Sequence, residues 1–388
     1  MKMNIDAIIK EILPEVIDFR HTLHGIPEIA GKEFRTCAEI RKRLANIAGL
    51  DIQNSYLETD TVAMLQGADK GKNVTLRADI DALELTDLSE VPYKSQHPGF
   101  SHACGHDAHM AMLYGAAQVL AQLKKEFAGS VRFVFQPGEE NVSMAKDLIA
   151  AGAIDEPAPD YVAALHIVPK YPVGKLVIRK GTVSAASAHF VVTFNGQGGH
   201  GSRPDLARNP VTALASAIVE LQGAVQNRIT PFESGVISVA TVAGGTLPNI
   251  IPQNACFTGT IRSLTDETAE KLIEALRDIC QCVARLHRVD VDVKIDGRYP
   301  ATVNDDSAVD MAAKVLADNN IPFEWEPTSA MSSEDFSYFL HRAPGVYARI
   351  GTGEDAPDLH NPHLDAPDGI LENGIRFLVG YALAGLAG

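Results

Sequence analysis

Three short runs have strand composition: VTLRADI at 74–80, SVRFVFQ at 130–136 and YVAALHI at 161–167. The second, with Val131, Phe133, Val134 and Phe135, has the composition of a buried strand. Stretches with other periodicity separate them. MAMLYGAAQVLAQLKKEF, from Met110, has an apolar helical face, and a further helix is expected around 142–151. Upstream, Ile5, Ile8, Ile9, Ile12 and Val16 recur at helical spacing, with Pro14 expected to kink or restart that helix. TVAML at 61–65 is one more strand, and a loop rich in Ser, Pro, Gly and His covers about 86–106. Strands alternating with helices imply an α/β unit around a mostly parallel sheet.

The alternation changes near residue 182. AHFVVTFNG (188–196) is a strand, NPVTALASAIVELQGAV (209–225) a helix, and GVISVATVAGG and ACFTGTIRSL are two more strands. Thr265 stands as an N-cap before a helix with acidic residues in its first turn, and VDVDVKI alternates as a strand should. Strand, helix, two strands, helix, strand is the order of a split-βαβ, ferredoxin-like α+β sandwich. The organisation expected is therefore a catalytic α/β domain at 1–181 and 297–388, with 182–296 inserted into it. The α/β pattern resumes with a helix near 305–319, the strand VYARIG and a last helix near 369–386.

The 388 residues, 46% of them hydrophobic and 21% charged, suffice for two cores. A net charge of −15 disfavours nucleic acid and anionic membrane as partners. Cys37, Cys104, Cys256, Cys280 and Cys282 are odd in number and irregularly spaced, which fits a reducing compartment better than a disulfide framework. The first residues lack the apolar stretch of a signal peptide, and no uncharged apolar run approaches membrane-spanning length. The cytoplasm is the compartment expected.

Residues able to carry chemistry gather at strand ends and in loops, where open α/β sheets place their sites. SHACGHDAHM holds Cys104, His106 and His109 beside Asp107. Thiolate and imidazole are preferred ligands of zinc-like ions, and Gly105 lets the backbone turn between two of them. FQPGEEN places Glu139 and Glu140 after an apolar strand, so that one carboxylate can bind an ion while the other handles a proton. His166 ends a strand, and His360 and His363 lie in LHNPHLD. Each place also has a plainer reading. These are a buried cysteine in a polar loop, acidic residues at a helix start, a satisfied core histidine, and a surface turn before the last helix. Together they supply Cys, His, Glu, His and His from four loops, a set in line with one or two divalent ions.

In this order the motifs resemble the aminoacylase–hippurate hydrolase–auxin-conjugate hydrolase family of metal-dependent amidohydrolases. The matching stretches are LRADIDAL (76–83), HACGHDAH (102–109), FVFQPGEE, ALHI, GGHGSRPD (198–205), LPNIIPQ (247–253), GTIRSL (259–264), SSEDFSYF (332–339) and LHNPHLD (359–365). The resemblance spans essentially the whole chain. It implies Cys104, His106, Glu140, His166 and His360 as metal ligands and Glu139 as general base. His200 resembles a histidine that completes the site and polarises the scissile carbonyl, in some relatives across a dimer. Asn249 and Arg262 stand at substrate-binding positions, and an arginine suits a free carboxylate. Asp79, Asp107 and His109 are expected as support, and Ser332 or Ser333 as a helix cap. The chain departs from the family at Glu84, where a proline is usual, and at APDG after LHNPHLD. Related branches place a ligating histidine where Arg77 stands.

The expectation is hydrolysis of N-acyl amino acids to a carboxylic acid and a free amino acid. The cofactor would be one or two ions of zinc, manganese, cobalt or nickel, and the assembly a homodimer or higher oligomer joined through 182–296. Three alternatives stay open: a metallo-dipeptidase or carboxypeptidase, a non-catalytic metal-binding dimer, and a thiol enzyme using Cys104.

Overall fold

The computed structural model describes residues 5–387 apart from Asn141, and the chain divides into two compact units. The first runs to Val183 and takes in Val303–Thr328 and the stretch from Asp335 onward; the second comprises Ser184–Thr302 and Ser329–Glu334.

The first unit is built on an eight-stranded sheet. Its order is Leu50–Ile52, Thr61–Gln66, Ser130–Gln136, Asn73–Asp79, Tyr161–Val168, Gly345–Gly351, Leu176–Ile178 and Phe323–Trp325. The central strands Ser130–Gln136, Asn73–Asp79, Tyr161–Val168 and Gly345–Gly351 are mutually parallel. Antiparallel pairings enter on either side of them, so the sheet is mixed but parallel at its centre. Every residue of Asn73–Asp79 and of Ser130–Gln136 is buried, as the composition of the second predicts. Val131, Phe133 and Phe135 point into one core with the helices Ile5–His24, His106–Leu123 and Leu371–Ala387. Val134 points the other way, toward Leu148, Phe336 and Phe339. Each fully buried phenylalanine contributes about 1.5–3 kcal/mol, so both faces add to stability.

Pro14 does not break its helix, which runs from Ile5 to His24. Pro14 is exposed, so the carbonyl of Lys10 that loses its partner faces water. The segment Asp368–Ala387 is long and apolar enough to cross a membrane by length and composition, yet 56% of its most apolar window is buried within the protein. Its residues Ile375, Phe377, Leu378 and Tyr381 are part of the main core.

The second unit has four antiparallel strands in the order Gly235–Gly244, Asn254–Ser263, Ala186–Asn195 and Asp290–Tyr299. Helices Pro210–Arg228 and Asp266–His287 supply Leu214, Leu221, Leu272 and Leu276 to a core with Phe190, Phe194 and Phe257. Strict alternation of buried residues along Asn254–Ser263 shows that one face alone is covered. Thr265 caps the second helix, its side chain accepting from the Thr268 amide at 3.1 Å.

Candidate metal centre and catalytic site

The helix expected from Met110 starts earlier, at His106, inside HACGHDAH. Gly105 makes that start possible. It sits at φ 76°, and a Cβ there would stand 2.4 Å from the Ile167 side chain. Cys104 is thereby left just before the helix while His106 opens it.

Backbone carbonyls decide which imidazole nitrogens are free. His106 Nδ1 donates to the carbonyl of Asp81 at 2.8 Å, so Nε2 is the nitrogen that would face an ion once it gives up its proton, and that atom is buried with no hydrogen-bond partner. His166 Nδ1 donates to the carbonyl of Ile167 at 2.7 Å, leaving its Nε2 3.5 Å from Cys104 Sγ. An imidazole held at Nδ1, with its Nε2 bare as in His106 or facing a second ligand-type atom as in His166, suits a metal ligand. His109 is arranged differently. Its Nε2 accepts from the amide of Ile167 at 2.9 Å and its Nδ1 donates to Asp79 at 2.6 Å. Both nitrogens are engaged, so His109 supports the strand that carries His166.

The loop after Gln136 brings the carboxylates. The amide of Glu140 donates to Asp81 Oδ2 at 2.8 Å, and Glu140 Oε1 lies 3.0 Å from His360 Nε2. His360 adopts φ 63°, and its amide donates to the carbonyl of Ala103 at 2.8 Å, which ties its loop to the cysteine loop. Cys104, Glu140 and His360 have donor atoms mutually within 4.8 Å, and so do His106, Glu139 and Glu140. These five residues share Glu140, and His166, 3.5 Å from Cys104, joins them as a sixth from a fourth loop. Soft thiol, imidazole nitrogens and carboxylates fit a divalent transition ion.

The charges of this pocket are poised for a cation. Burial would lower the His106 imidazole, but Asp79, Asp81 and Glu140 carry it up to about 10. Burial, with Glu140, Glu139 and Asp79, pushes the Cys104 thiol up. Burial opposes ionisation of Glu140 too, yet His360 and His106 hold its carboxyl below the usual range. Protons fill a place where an ion would be better matched.

Two sequence expectations need correction. Asp107 does not orient a ligand. It accepts from Arg20 Nε at 3.1 Å and from His24 Nδ1 at 2.9 Å, and Arg20 also pairs with Asp365 and Asp368. Asp107 therefore ties the first helix and the last loop to the start of the His106 helix. Nor do Ser332 and Ser333 cap a helix. The short helix is Ser337–Leu340 and has no side-chain cap; Ser333 Oγ accepts from Arg262 instead. Asp335 is held by a stronger partner than a helix end. It accepts from Arg77 Nη2 at 2.8 Å and from Gln136 Nε2 at 2.8 Å. Arg77 also donates to Asp79 at 2.8 Å, so where related branches have a ligand this chain has a buried brace. Sequence reasoning missed Asp81, whose backbone and side chain position His106 and Glu140; its one signal was the spacing of Asp79 and Asp81 along LRADIDAL.

In the second unit, His200 lies in the pairing of Gly199–His200 with Ile250–Ile251. Its Nδ1 accepts from the amide of Ser202 at 3.1 Å, which leaves Nε2 as the protonated nitrogen of an exposed side chain. Asn249 is on the same ribbon, its carbonyl accepting from the amide of Gly201 at 2.8 Å. Arg262 stands on Asn254–Ser263, where Nη1 donates to Ser333 Oγ at 2.8 Å.

Comparison with known proteins agrees with this geometry. The profile described as peptidase family M20/M25/M40 matches residues 75–384. Thermostable carboxypeptidase 2 of Saccharolobus solfataricus is 36% identical over 348 residues, 89% of this chain and 87% of that one. Hippurate hydrolase of Campylobacter jejuni is 32% identical over 383 residues, 96% of this chain and 98% of that one. A crystal structure of a dinuclear metal binding peptidase of the M20 family from Bacillus subtilis superimposes with a TM-score of 0.85 at 26% identity, covering 97% and 99% of the two chains. The chain belongs to peptidase family M20/M25/M40, as an enzyme of metal-dependent amide hydrolysis.

Proposed function

We propose that the protein hydrolyses N-acyl amino acids, releasing a carboxylic acid and a free amino acid. The observation that carries this reading is the convergence of Cys104, His106, Glu139, Glu140, His166 and His360, with His106 Nε2 buried and bare, His166 Nε2 against the thiol and His360 Nε2 against Glu140. Cys104, His106, Glu140, His166 and His360 would hold one or two ions of zinc, manganese, cobalt or nickel. Such an ion supplies Lewis acidity, polarising the scissile carbonyl and making water acidic enough to attack near neutral pH. Glu139 takes the proton as water attacks and delivers it to the leaving amine nitrogen. His200 Nε2–H donates to the carbonyl oxygen as negative charge develops there. Arg262 grips the carboxylate of the amino acid, and Asn249 helps orient it.

A panel of N-acetyl and N-benzoyl amino acids, amides lacking the carboxylate, and dipeptides tests this. The carboxylate-bearing N-acyl substrates are expected to be turned over best. Arg262→Ala is expected to raise their KM by about 10–100-fold, the loss of one charged hydrogen-bonded contact, with kcat little changed. The carboxypeptidase relative supports a second reading, peptide hydrolysis on the same machinery. Dipeptides outpacing every N-acyl amino acid would establish it.

The insertion at 182–296 we assign to lid and dimer contacts, and the homodimer to the cytoplasm. The edge strand Gly235–Gly244 leaves Val236 and Val242 exposed, next to an exposed Phe232, and all five cysteines are free. With His200 acting across the dimer, equimolar His200→Ala and Glu139→Gln proteins are expected to regain activity on subunit exchange, because one hybrid site has both residues. No recovery in exchanged hybrids means that the histidine serves its own subunit.

A further inference from the structure

Glu33 is fully buried at the start of the helix Phe34–Leu44, far in sequence from the residues assigned above. Its Oε2 accepts from Thr59 Oγ1 at 2.8 Å, and its Oε1 accepts from the amide of Gly138 at 2.9 Å. Two residues on, the amide of Glu140 is held by Asp81 at 2.8 Å. Glu139 therefore stands between two peptide groups, each gripped by a buried carboxylate from elsewhere in the chain. Gly138 has little freedom of its own. It sits at φ 62°, a Cβ there would meet Met144 Sδ at 2.4 Å, and its carbonyl accepts from the Met144 amide at 3.0 Å.

Holding Glu33 here opposes its charge. Burial, then the nearby Asp81, pushes its carboxyl up to about 7. A capping role at the helix start would not need that, since Glu28 already accepts from the amides of Arg35 and Thr36 at 2.8 Å. The consequence of the Glu33 contact falls instead on the loop of the base.

We propose that Glu33 is a positioning residue for Glu139: through the amide of Gly138 it sets the direction of the base carboxylate, and so it governs kcat without touching substrate or ion. This rests on the reading of Glu139 as general base.

The roles of reach and charge separate in two variants. Glu33→Asp keeps the carboxylate but is one methylene too short for the Gly138 amide. Glu33→Gln keeps the reach, its oxygen accepting from Gly138 while the Thr59 hydroxyl turns to accept from its amide. Glu33→Asp is expected to lose about 10–100-fold in kcat, as a small misplacement of a catalytic group does, with KM and ion content unchanged. Glu33→Gln is expected to stay near wild type. In a Glu139→Gln background, Glu33→Asp should add no further loss, because both changes act through one group. Steady-state kinetics with ion analysis by mass spectrometry reads all of these. Three results overturn the proposal: a folded Glu33→Asp with normal kcat, equal losses in the aspartate and glutamine variants, or a loss that follows ion content. Glu139→Gln turning over normally overturns the base reading itself, which keeps the two failures distinct. If the aspartate variant does not fold, Thr59→Ala loosens the same carboxylate. It should show a smaller loss confined to kcat, and an unchanged kcat there also overturns the proposal.

Discussion

Glu139→Gln is expected to lower kcat by about 10²–10⁴-fold, the range for removing a positioned general base, while fold and ion content stay as they are. Glutamine matches glutamate in size, and Glu139 is only 8% exposed, so the substitution neither opens a cavity nor changes access to the site. It removes a single capability, that of accepting a proton and passing it on. Both halves of the reaction use that capability, first at the attacking water and then at the leaving nitrogen. KM should change little, because the carboxylate contributes to the proton transfers and not to holding the substrate. Steady-state kinetics beside ion analysis and thermal unfolding checks this. A folded, ion-replete variant with ordinary turnover would remove Glu139 from the role of base.

Chelation is expected to reduce turnover to background, and a divalent ion to restore it with release of protons. At neutral pH the His106 imidazole, pushed up to about 10, and the raised Cys104 thiol both hold protons in the ion-free pocket, whereas Glu140 is already ionised. Each ligand must be free of its proton to bind, so protons should leave as the site fills at pH 7, those of His106 and Cys104 among them. Apparent affinity should therefore climb with pH toward about 10. The ion-free protein should show the linked effect on stability. A histidine whose folded pKa is raised contributes stability fully present below its unfolded value of 6.5 and lost as pH rises through about 10. Titration calorimetry in buffers of different ionisation enthalpy counts the protons, and thermal melts with and without chelator follow the stability. Binding without proton release, or turnover that survives thorough chelation, would contradict this account of the pocket.

The proposed ligands could be picked out because metal chemistry draws on few side chains, and Cys104, His106, Glu140, His166 and His360, each weak alone, come together in the order the family resemblance implies. The layout of strands and helices was readable for a similar reason. Burial on two faces puts apolar residues on both sides of Ser130–Gln136, Val131, Phe133 and Phe135 on one and Val134 on the other, and burial on one face makes Asn254–Ser263 alternate. Caps such as Thr265 act within one helical turn and show locally. Where the reading erred, a distant partner had overridden a local signal. Asp335 looked like part of a helix start, but Arg77, 258 residues away, is its partner. Asp107 looked like a ligand's support until Arg20, 87 residues away, was seen to occupy it.

HACGHDAH by itself offered candidate donors, and it was Glu139–Glu140, His166 and His360 following in order at other strand ends that gave them weight. Only the tertiary structure decided which donors are free. The carbonyls of Asp81 and Ile167 hold His106 and His166 at Nδ1, leaving His106 Nε2 bare and His166 Nε2 beside Cys104 Sγ, while His109 is taken up by an amide and Asp79. Carbonyls and amides belong to every residue alike. Their part in choosing ligands is written in the path of the backbone, which no side-chain motif records.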